Sequence, residues 1–469
     1  MTGISTAAVS ASAAVAGAIL SRKFGHGVKT DGFFAAYAVY VALVLVANAL
    51  RVVVLPRFAR AHSQGLLGRE VGTWSLALAV PLVPAVVVAV AAPHALAGLL
   101  TGSSSARHQA AELLPWLVPA AAAQVYAGVA ASALGALDDY GTAAFGFAAG
   151  AVAGLVAIVA LVGHGVQAFG WGLALNGGIA LLAPLTLLVA RGGLGWPESG
   201  ALRRLRELAE GVALPFALQG LYVIGYRFAS GLGTGKPTTF SYAYLIAALL
   251  VAVTATSVAL VSSVPLARGD LTPERATRHV VAASWLSLAV IGGAAGVFAL
   301  AGSRVARAAL GSHYGGGTGA ELGRLVVYFA PWMVVSVAVS VAFPLLFVRG
   351  RARWLPLLAV VALCAHVLVE WGGRAAFGLA GIAAGMAVTT GATLAVLLWP
   401  LGALTQALRG LLAAAVVCGV LAAIAFGLPR VVLGGVPAAV VGLALYAAAL
   451  GLWRPGGLRN AWTYVRALQ

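Results

Sequence analysis

Two arginines, Arg51 and Arg227, lie inside long apolar stretches of this chain. A guanidinium is planar, stays charged at physiological pH and can grip an anion through two parallel hydrogen bonds. An ionisable side chain within an apolar span is a functional candidate by default. The competing reading is that both sit near a span end and reach for the interface along their stems. Arg22-Lys23 closes the first apolar run and is a second basic cluster. Asp31 follows Lys29 and Thr30, where Thr30 or Asp31 could cap the next helix, or Asp31 could pair with a cation across a cavity. His366 and Glu370 are four apart and share one helix face. His366 is the only histidine of eight that falls in the interior of a predicted span. Such a pair could carry a proton or help coordinate sodium; otherwise it is an interfacial Glu beside a helix-facing His. Asp138-Asp139 could hold magnesium in a transferase, but the loop is short and no further acid follows, so a solvated turn is expected.

These residues must be positioned by membrane helices. Of 469 residues, 62% are hydrophobic and 9% are charged, against roughly 25% charged in a soluble domain. A water-soluble fold of this length could not bury so much apolar surface. The apolar runs extend about 20 residues without strand alternation, which excludes a barrel and leaves helices. Fourteen runs are read, near 5–21, 32–55, 73–93, 112–135, 143–163, 168–190, 211–232, 239–263, 280–302, 323–348, 354–371, 376–400, 405–428 and 431–453. The first is rich in Ala and Ser and is the least apolar. No cleavable signal peptide is expected, since no Lys or Arg precedes Arg22.

The net charge of +17 would suggest nucleic acid in a soluble protein. Here the basic residues fall between spans, so their first meaning is topological and no nucleic-acid partner is expected. With the N-terminus inside, seventeen Lys/Arg fall on inner segments, Arg268, Arg454 and Arg466 among them, and ten on outer ones. That bias places both termini in the cytoplasm. Cys364 and Cys418 lie in apolar runs without metal spacing, so neither a disulfide framework nor a zinc site is expected. No cofactor is expected either, because no Walker A, HExxH or GxSxG motif stands in its required context.

The two halves echo each other. Phe24 answers Phe228, Pro56 answers Pro265, Pro119 answers Pro331 and Phe169 answers Phe377, at offsets of 204, 209, 212 and 208. The predicted architecture is an all-α polytopic membrane protein of about fourteen helices. Residues 1–190 form one six-helix bundle, 191–210 a basic linker, 211–401 a second six-helix bundle, and 402–469 two further helices and a short tail. Parallel repeats of this kind place a substrate at their interface and work by alternating access. The repeat also pairs Arg227 with Arg22-Lys23, so these three are expected to form an anion-binding rim.

The stretch Phe24-Gly25-His26-Gly27-Val28-Lys29-Thr30-Asp31-Gly32-Phe33-Phe34-Ala35-Ala36-Tyr37 resembles the signature of the MviN/MurJ-like flippases. In that family an FG, a short spacer, a TDxFF and an aromatic close the first hairpin. Phe228-Ala229-Ser230-Gly231-Leu232, Pro331, and Gly378-Leu379-Ala380-Gly381-Ile382-Ala383 also fit. The family belongs to the multidrug/oligosaccharidyl-lipid/polysaccharide (MOP) superfamily. The resemblance implies a transporter moving a lipid-linked glycan, lipid II or a related cell-wall or polysaccharide precursor, across the bacterial cytoplasmic membrane. It implies a groove for the lipid tail in the last two spans, and no enzymatic activity. The peptidoglycan branch carries arginines inside spans one, two and eight, where this chain has Ser10 and Ala16, Val44, and Tyr244.

The implied substrate-binding residues are Arg22, Lys23, Asp31, Arg51 and Arg227, with His366 and Glu370 as ion-coupling candidates for H+ or Na+. The partners are the lipid-linked glycan and membrane lipids. A drug or metabolite antiporter of the same superfamily is the alternative, though such antiporters favour intramembrane acids for cationic cargo. A non-transporting scaffold is a further alternative. A polytopic glycosyltransferase needs acids on a substantial outer loop, which this chain lacks.

Overall fold

The computed structural model describes residues 2–198, 200–267 and 272–453, with 455, 457–461 and 463 beyond them. Arg268, Arg454 and Arg466 lie outside the described residues. Among the described residues there are sixteen α-helices and no strand: α1 Thr2–Phe24, α2 Val28–Ser63, α3 Leu67–Ala91, α4 Pro93–Leu100, α5 Ser104–Ala136, α6 Tyr140–Leu161, α7 Gln167–Ala190, α8 Ala201–Ala229, α9 Lys236–Ala267, α10 Pro273–Leu310, α11 Gly316–Tyr328, α12 Ala330–Val348, α13 Leu355–Phe377, α14 Leu379–Leu398, α15 Leu404–Val432 and α16 Gly435–Trp453. Thirteen of the described helical stretches are long and apolar enough to cross a membrane. α1 is not among the thirteen, in keeping with its Ala/Ser-rich sequence, yet it forms a helix of 23 residues. The chain is a multi-pass membrane protein of two six-helix repeats plus two C-terminal helices.

The chain divides into two compact units. The first is Met1–Thr238 with Leu355–Leu363; the second is Thr239–Trp354 with Cys364–Gln469. The division therefore falls after α8, whereas the sequence repeat opens its second bundle at residue 211. The basic segment 191–210 explains the difference. Its second half is the start of α8, held by Arg203–Glu207 and Arg206–Glu210 pairs at 3.2 and 3.1 Å. Arg204 reaches Glu70 of α3 at 2.9 Å and Glu207 at 3.0 Å, and Arg57 of α2 reaches Glu207 at 3.0 Å. Glu70 in turn accepts from the Trp74 indole at 3.0 Å. A network of this kind, with shared partners, holds geometry better than isolated surface pairs. It fastens α8 to α2 and α3 within the first unit.

In the first unit α5 is central: 83% of its most apolar stretch is buried, against 28% for α6 and 22% for α7. The core joins Leu50 and Val54 of α2, Trp74 of α3, Val125 of α5 and Val212 of α8. α6 and α7 meet through glycines and small residues, as membrane helices do when close van der Waals contact replaces the hydrophobic effect. In the second unit α10 packs on α12, α15 and α16. Trp285 lies against Ala414 and Cys418, and Phe426 against Tyr446.

Span ten is interrupted. The structure divides it into α11 and α12 at Phe329, two residues before Pro331. Proline lacks a backbone N–H and is tolerated in the first turn of a helix. Its repeat counterpart Pro119 instead lies inside the unbroken α5.

Candidate functional site

The Phe24–Tyr37 signature is a structural knot. Thr30 accepts from the Gly27 amide at 2.8 Å and donates to the Gly27 carbonyl at 2.9 Å, so Thr30 organises the start of its own helix α2. Asp31 does something else. It is buried, and its carboxylate accepts from the Gly235 amide at 2.8 Å, the Thr238 amide at 3.1 Å and the Thr238 hydroxyl at 2.5 Å. It thus satisfies the orphan donors at the head of α9. The Tyr226 hydroxyl donates to the Asp31 carbonyl. Gly32 permits the close approach of α5: a Cβ there would sit 2.8 Å from the Ala106 carbonyl oxygen. Phe33 stacks on Tyr37 at 5.2 Å and meets Phe169 edge-on at 5.6 Å; Phe24 meets the same ring at 6.2 Å. The FG, the TDxFF and the Phe169 landmark are therefore one cluster. Asp31 belongs to this frame: in this conformation its carboxylate faces donors of the α8–α9 connection rather than a cavity.

The aromatic run continues down α2 through Tyr40, 5.6 Å from Tyr37. Gln124 donates to the Tyr40 hydroxyl at 3.3 Å and lines a cavity of about 440 Å³ within the first unit. Its walls come from α1, α2, α5 and α6, and its polar groups are Ser5, Ser10, Arg51, Gln124, Ser132 and Tyr140. Arg51 is its one basic wall residue, and no acid lines it. The guanidinium lies over the Phe147 ring at 4.4 Å, a cation–π contact that fixes its plane. Its Nε is buried and meets no acceptor among the described residues. The side chain as a whole is half-buried; a cation withdrawn from water is normally paired. Ser10 and Val44, two of the positions at which the peptidoglycan flippases carry arginine, line the same cavity. Arg51 stands seven residues beyond Val44, two turns along the same face of α2.

The three expected rim residues are at helix ends. Arg22 and Lys23 occupy the last turn of α1 and are exposed. Arg227 is in the last turn of α8, also exposed, and so is less embedded than the sequence suggests. A Cβ on Gly102 would lie 3.0 Å from its Nη1. Ser230 links the two segments, accepting from the Gly102 amide at 3.0 Å and donating to the Arg227 carbonyl at 2.7 Å.

The second unit holds a larger cavity, about 640 Å³, with almost wholly apolar walls. Its walls come from α10, α11, α12, α14 and α15, and Arg430 is its one charged lining residue. The expected tail groove thus differs in detail: α15 lines it, whereas α16 packs behind α15, with Gly442 against Phe426. The sequence offered no signal for this cavity beyond apolarity.

His366 and Glu370 are brought together as expected. Both are fully buried, with His Nε2 3.2 Å from Glu Oε1. That approach is close but not aligned as a hydrogen bond, and neither Glu370 oxygen has a hydrogen-bond partner among the described residues. His366 Nδ1 is 3.0 Å from the Thr389 hydroxyl of α14, a partner the sequence did not reveal. His366 is not the only histidine within a helix: His279 is buried in α10, which begins seven residues before the predicted span.

Asp139 is a cap. Its carboxylate accepts from the Thr142 amide at 3.0 Å and from Arg191 at 2.9 Å. The Thr142 amide first, with the Thr142 hydroxyl and Arg191, holds its pKa below the ordinary carboxylate value against some cost of burial. Asp138 takes a positive φ of 59°, which Asp tolerates in tight turns.

No protein-family model and no curated protein matches the sequence. Solved structures do. The chain is similar to a lipid II flippase MurJ in an inward closed conformation, with a TM-score of 0.76 at 12% identity, covering 97% of this chain and 98% of that one. The chain has the MOP flippase fold. It is also similar to an inward-facing multidrug resistance MATE family transporter of the MOP superfamily, with a TM-score of 0.64 at 15% identity over 85% of this chain and 94% of that one. A MOP superfamily transporter from Pyrococcus furiosus, described by the reverse polarity of its binding pocket, matches with a TM-score of 0.56 at 14% identity, over 87% and 93%. At these identities the likeness concerns the fold, so the site residues must carry the functional argument.

Proposed function

We propose that this chain is an alternating-access flippase for a polyprenyl-diphosphate-linked glycan in the bacterial cytoplasmic membrane, with both termini cytoplasmic. The observation that carries the reading is Arg51, a cation without an acidic partner in a cavity whose other polar groups are neutral. A diphosphate offers the oxygens that a guanidinium pairs with, while the serines and Gln124 supply further donors. A cationic drug would find no carboxylate there. The apolar cavity of the second unit, with Arg430 among its walls, suits a polyprenyl chain. Exposed Arg22, Lys23 and Arg227 serve as a rim that draws the anionic headgroup. The fold, shared with a lipid II flippase and with MATE transporters, supports transport over catalysis or scaffolding.

Compared with the peptidoglycan flippases, the cation on α2 is displaced two turns, from the position of Val44 to that of Arg51. The cargo's diphosphate accordingly rides at a different depth. The experiment is complementation of a bacterial strain depleted of its own lipid II flippase, with wild-type, Arg51→Ala and Arg227→Ala chains expressed at equal membrane levels. Rescue by wild type with loss in Arg51→Ala supports lipid II as cargo and Arg51 as its headgroup contact. Equal rescue by Arg51→Ala overturns the headgroup assignment. No rescue by any chain rules out lipid II and directs the assay to other lipid-linked glycans.

A further inference from the structure

We propose that the basic pocket between the first turns of α10 and the C-terminal segment is a binding site for a phosphate-bearing anion, held between Arg278 and Arg459. It shares no wall residue with either cavity described above and does not rest on the transport reading. Arg278, Ala282 and Trp285 stand four and three residues apart on one face of α10. After the last span, the described residues 457–461 and 463 are helical. Leu458 and Ala461 of that segment pack into the core beside Ala282 and Trp285. Gly457 allows this approach, since a Cβ there would overlap the Trp285 indole. With Leu458 and Ala461 turned to the core, Arg459, Asn460 and Thr463 form the wall opposite α10. The space between is about 690 Å³, and all of it lies in the second unit.

The charge of this pocket is positive and unbalanced. Two arginines, an amide and a hydroxyl supply its polar side chains, and no acid lines it. Neither guanidinium forms an ion pair among the described residues. Glu274 is one turn before Arg278, a spacing at which helix pairs form. It stays instead at the head of α10, hydrogen-bonded to Thr272 and to its own amide. Packing of the C-terminal segment thus brings two like charges to one pocket, where they repel. An anion between them removes that cost. Each arginine presents a planar fork of donors. A carboxylate has two oxygens and is filled by one fork. A phosphate group spreads its charge over three free oxygens and meets two forks at once, with Asn460 and Thr463 as further donors. The volume exceeds what one bare phosphate needs and is in the range of small-molecule sites. Free diphosphates and phospholipid headgroups both offer this chemistry. Either one, once bound, ties the C-terminal segment to α10.

The test uses the full-length chain purified in neutral detergent, with Arg51→Ala present throughout so that the first unit's cavity does not take up the probe. Inorganic pyrophosphate is titrated in by isothermal titration calorimetry, and phosphatidylglycerol adducts are counted by native mass spectrometry. Arg278→Gln and Arg459→Gln should each weaken binding about tenfold, and the double variant about 100-fold. Replacing both arginines by Lys keeps the charge and should retain part of the affinity. Asn460→Asp places an acid in the wall without touching the packed face, and should weaken binding even if the double Gln variant fails to fold. Pyrophosphate binding that depends on the arginines, with lipid adducts that do not, assigns the site to free phosphates. The reverse assigns it to lipid headgroups. Dependence of both probes supports a site that takes the phosphate whatever carries it. No binding of either probe by the parent chain overturns the proposal, as do affinities that ignore Asn460→Asp and both arginines.

Discussion

Two cavities of this chain are chemical opposites. The one in the first unit is about 440 Å³, with serine and glutamine walls and a guanidinium stacked on an aromatic ring. The one in the second unit is about 640 Å³ and almost wholly apolar, with Arg430 its one charge. Three landmark pairs of the sequence repeat, Pro56/Pro265, Pro119/Pro331 and Phe169/Phe377, have one member in each unit. The division of chemistry matches an amphiphile with an anionic head and a hydrocarbon tail, which is the cargo class proposed here.

The largest expected effect comes from removing the cation that defines the polar cavity. Arg51→Ala should lower the flipping rate roughly 100-fold, since charge-assisted pairs with phosphate are worth a few kcal/mol. Arg51→Lys should recover only part of it, because an ammonium lacks the planar fork. Adding Val44→Arg to Arg51→Ala should restore transport if cation depth is adjustable along α2. Failure of that double variant would mean that the Phe147 stack is also required.

A second expectation concerns the frame that holds the polar cavity's helix. Asp31→Asn keeps the shape but loses charge at three donors, and should cost about 2 kcal/mol of stability. The apparent melting temperature in detergent should fall, while flipping per folded molecule stays near wild type. If flipping collapses with stability unchanged, Asp31 acts on the cargo after all.

The apolar cavity is tested by filling it. Gly419 lines it, and a Cβ there meets nothing within 4 Å. Gly419→Leu should slow the flipping of long polyprenyl substrates several-fold, on the order of 1 kcal/mol. A short-chain analogue should be unaffected, and equal slowing of both would break the assignment of head and tail.

The smallest effect is at Asp139. Its folded pKa is depressed, so its contribution to stability is present above the ordinary carboxylate pKa and is lost as pH falls through the folded value. Asp139→Asn keeps a capping oxygen but loses the Arg191 pair, and should reduce stability at neutral pH by about 0.5 kcal/mol. The wild-type advantage over Asp139→Asn should shrink as the pH falls through and below the ordinary carboxylate range, as melting curves from pH 2 to 7 would show.

Much of the site was legible one residue at a time. An arginine in an apolar span and an i, i+4 His/Glu pair are local facts, and the structure places Arg51 in a cavity wall and buries His366 beside Glu370. The sequence offers Thr30 or Asp31 as the cap of α2 and leaves a cavity-facing role open for Asp31. The structure gives the first task to Thr30 and sends Asp31 to the head of α9, more than 200 residues away. Arg227 read as embedded because hydropathy counts neighbours along the chain, and the end of α8 in fact leaves it exposed.

What the sequence determined by itself was the solvent and the existence of the long helices, because hydrocarbon tolerates only segments that satisfy their own backbone, and about 20 apolar residues suffice to cross it. It also determined the repeat, since equal landmarks at a near-constant offset need no coordinates. Only the tertiary structure decided which helix faces enclose a cavity, which charge lacks a partner, and that α8 joins the first unit through Arg204, Glu70 and Glu207. In a chain of Ala, Val and Leu every face of a helix reads alike. The difference between a face in lipid and a face in a cavity is made by the neighbours that the fold brings to it.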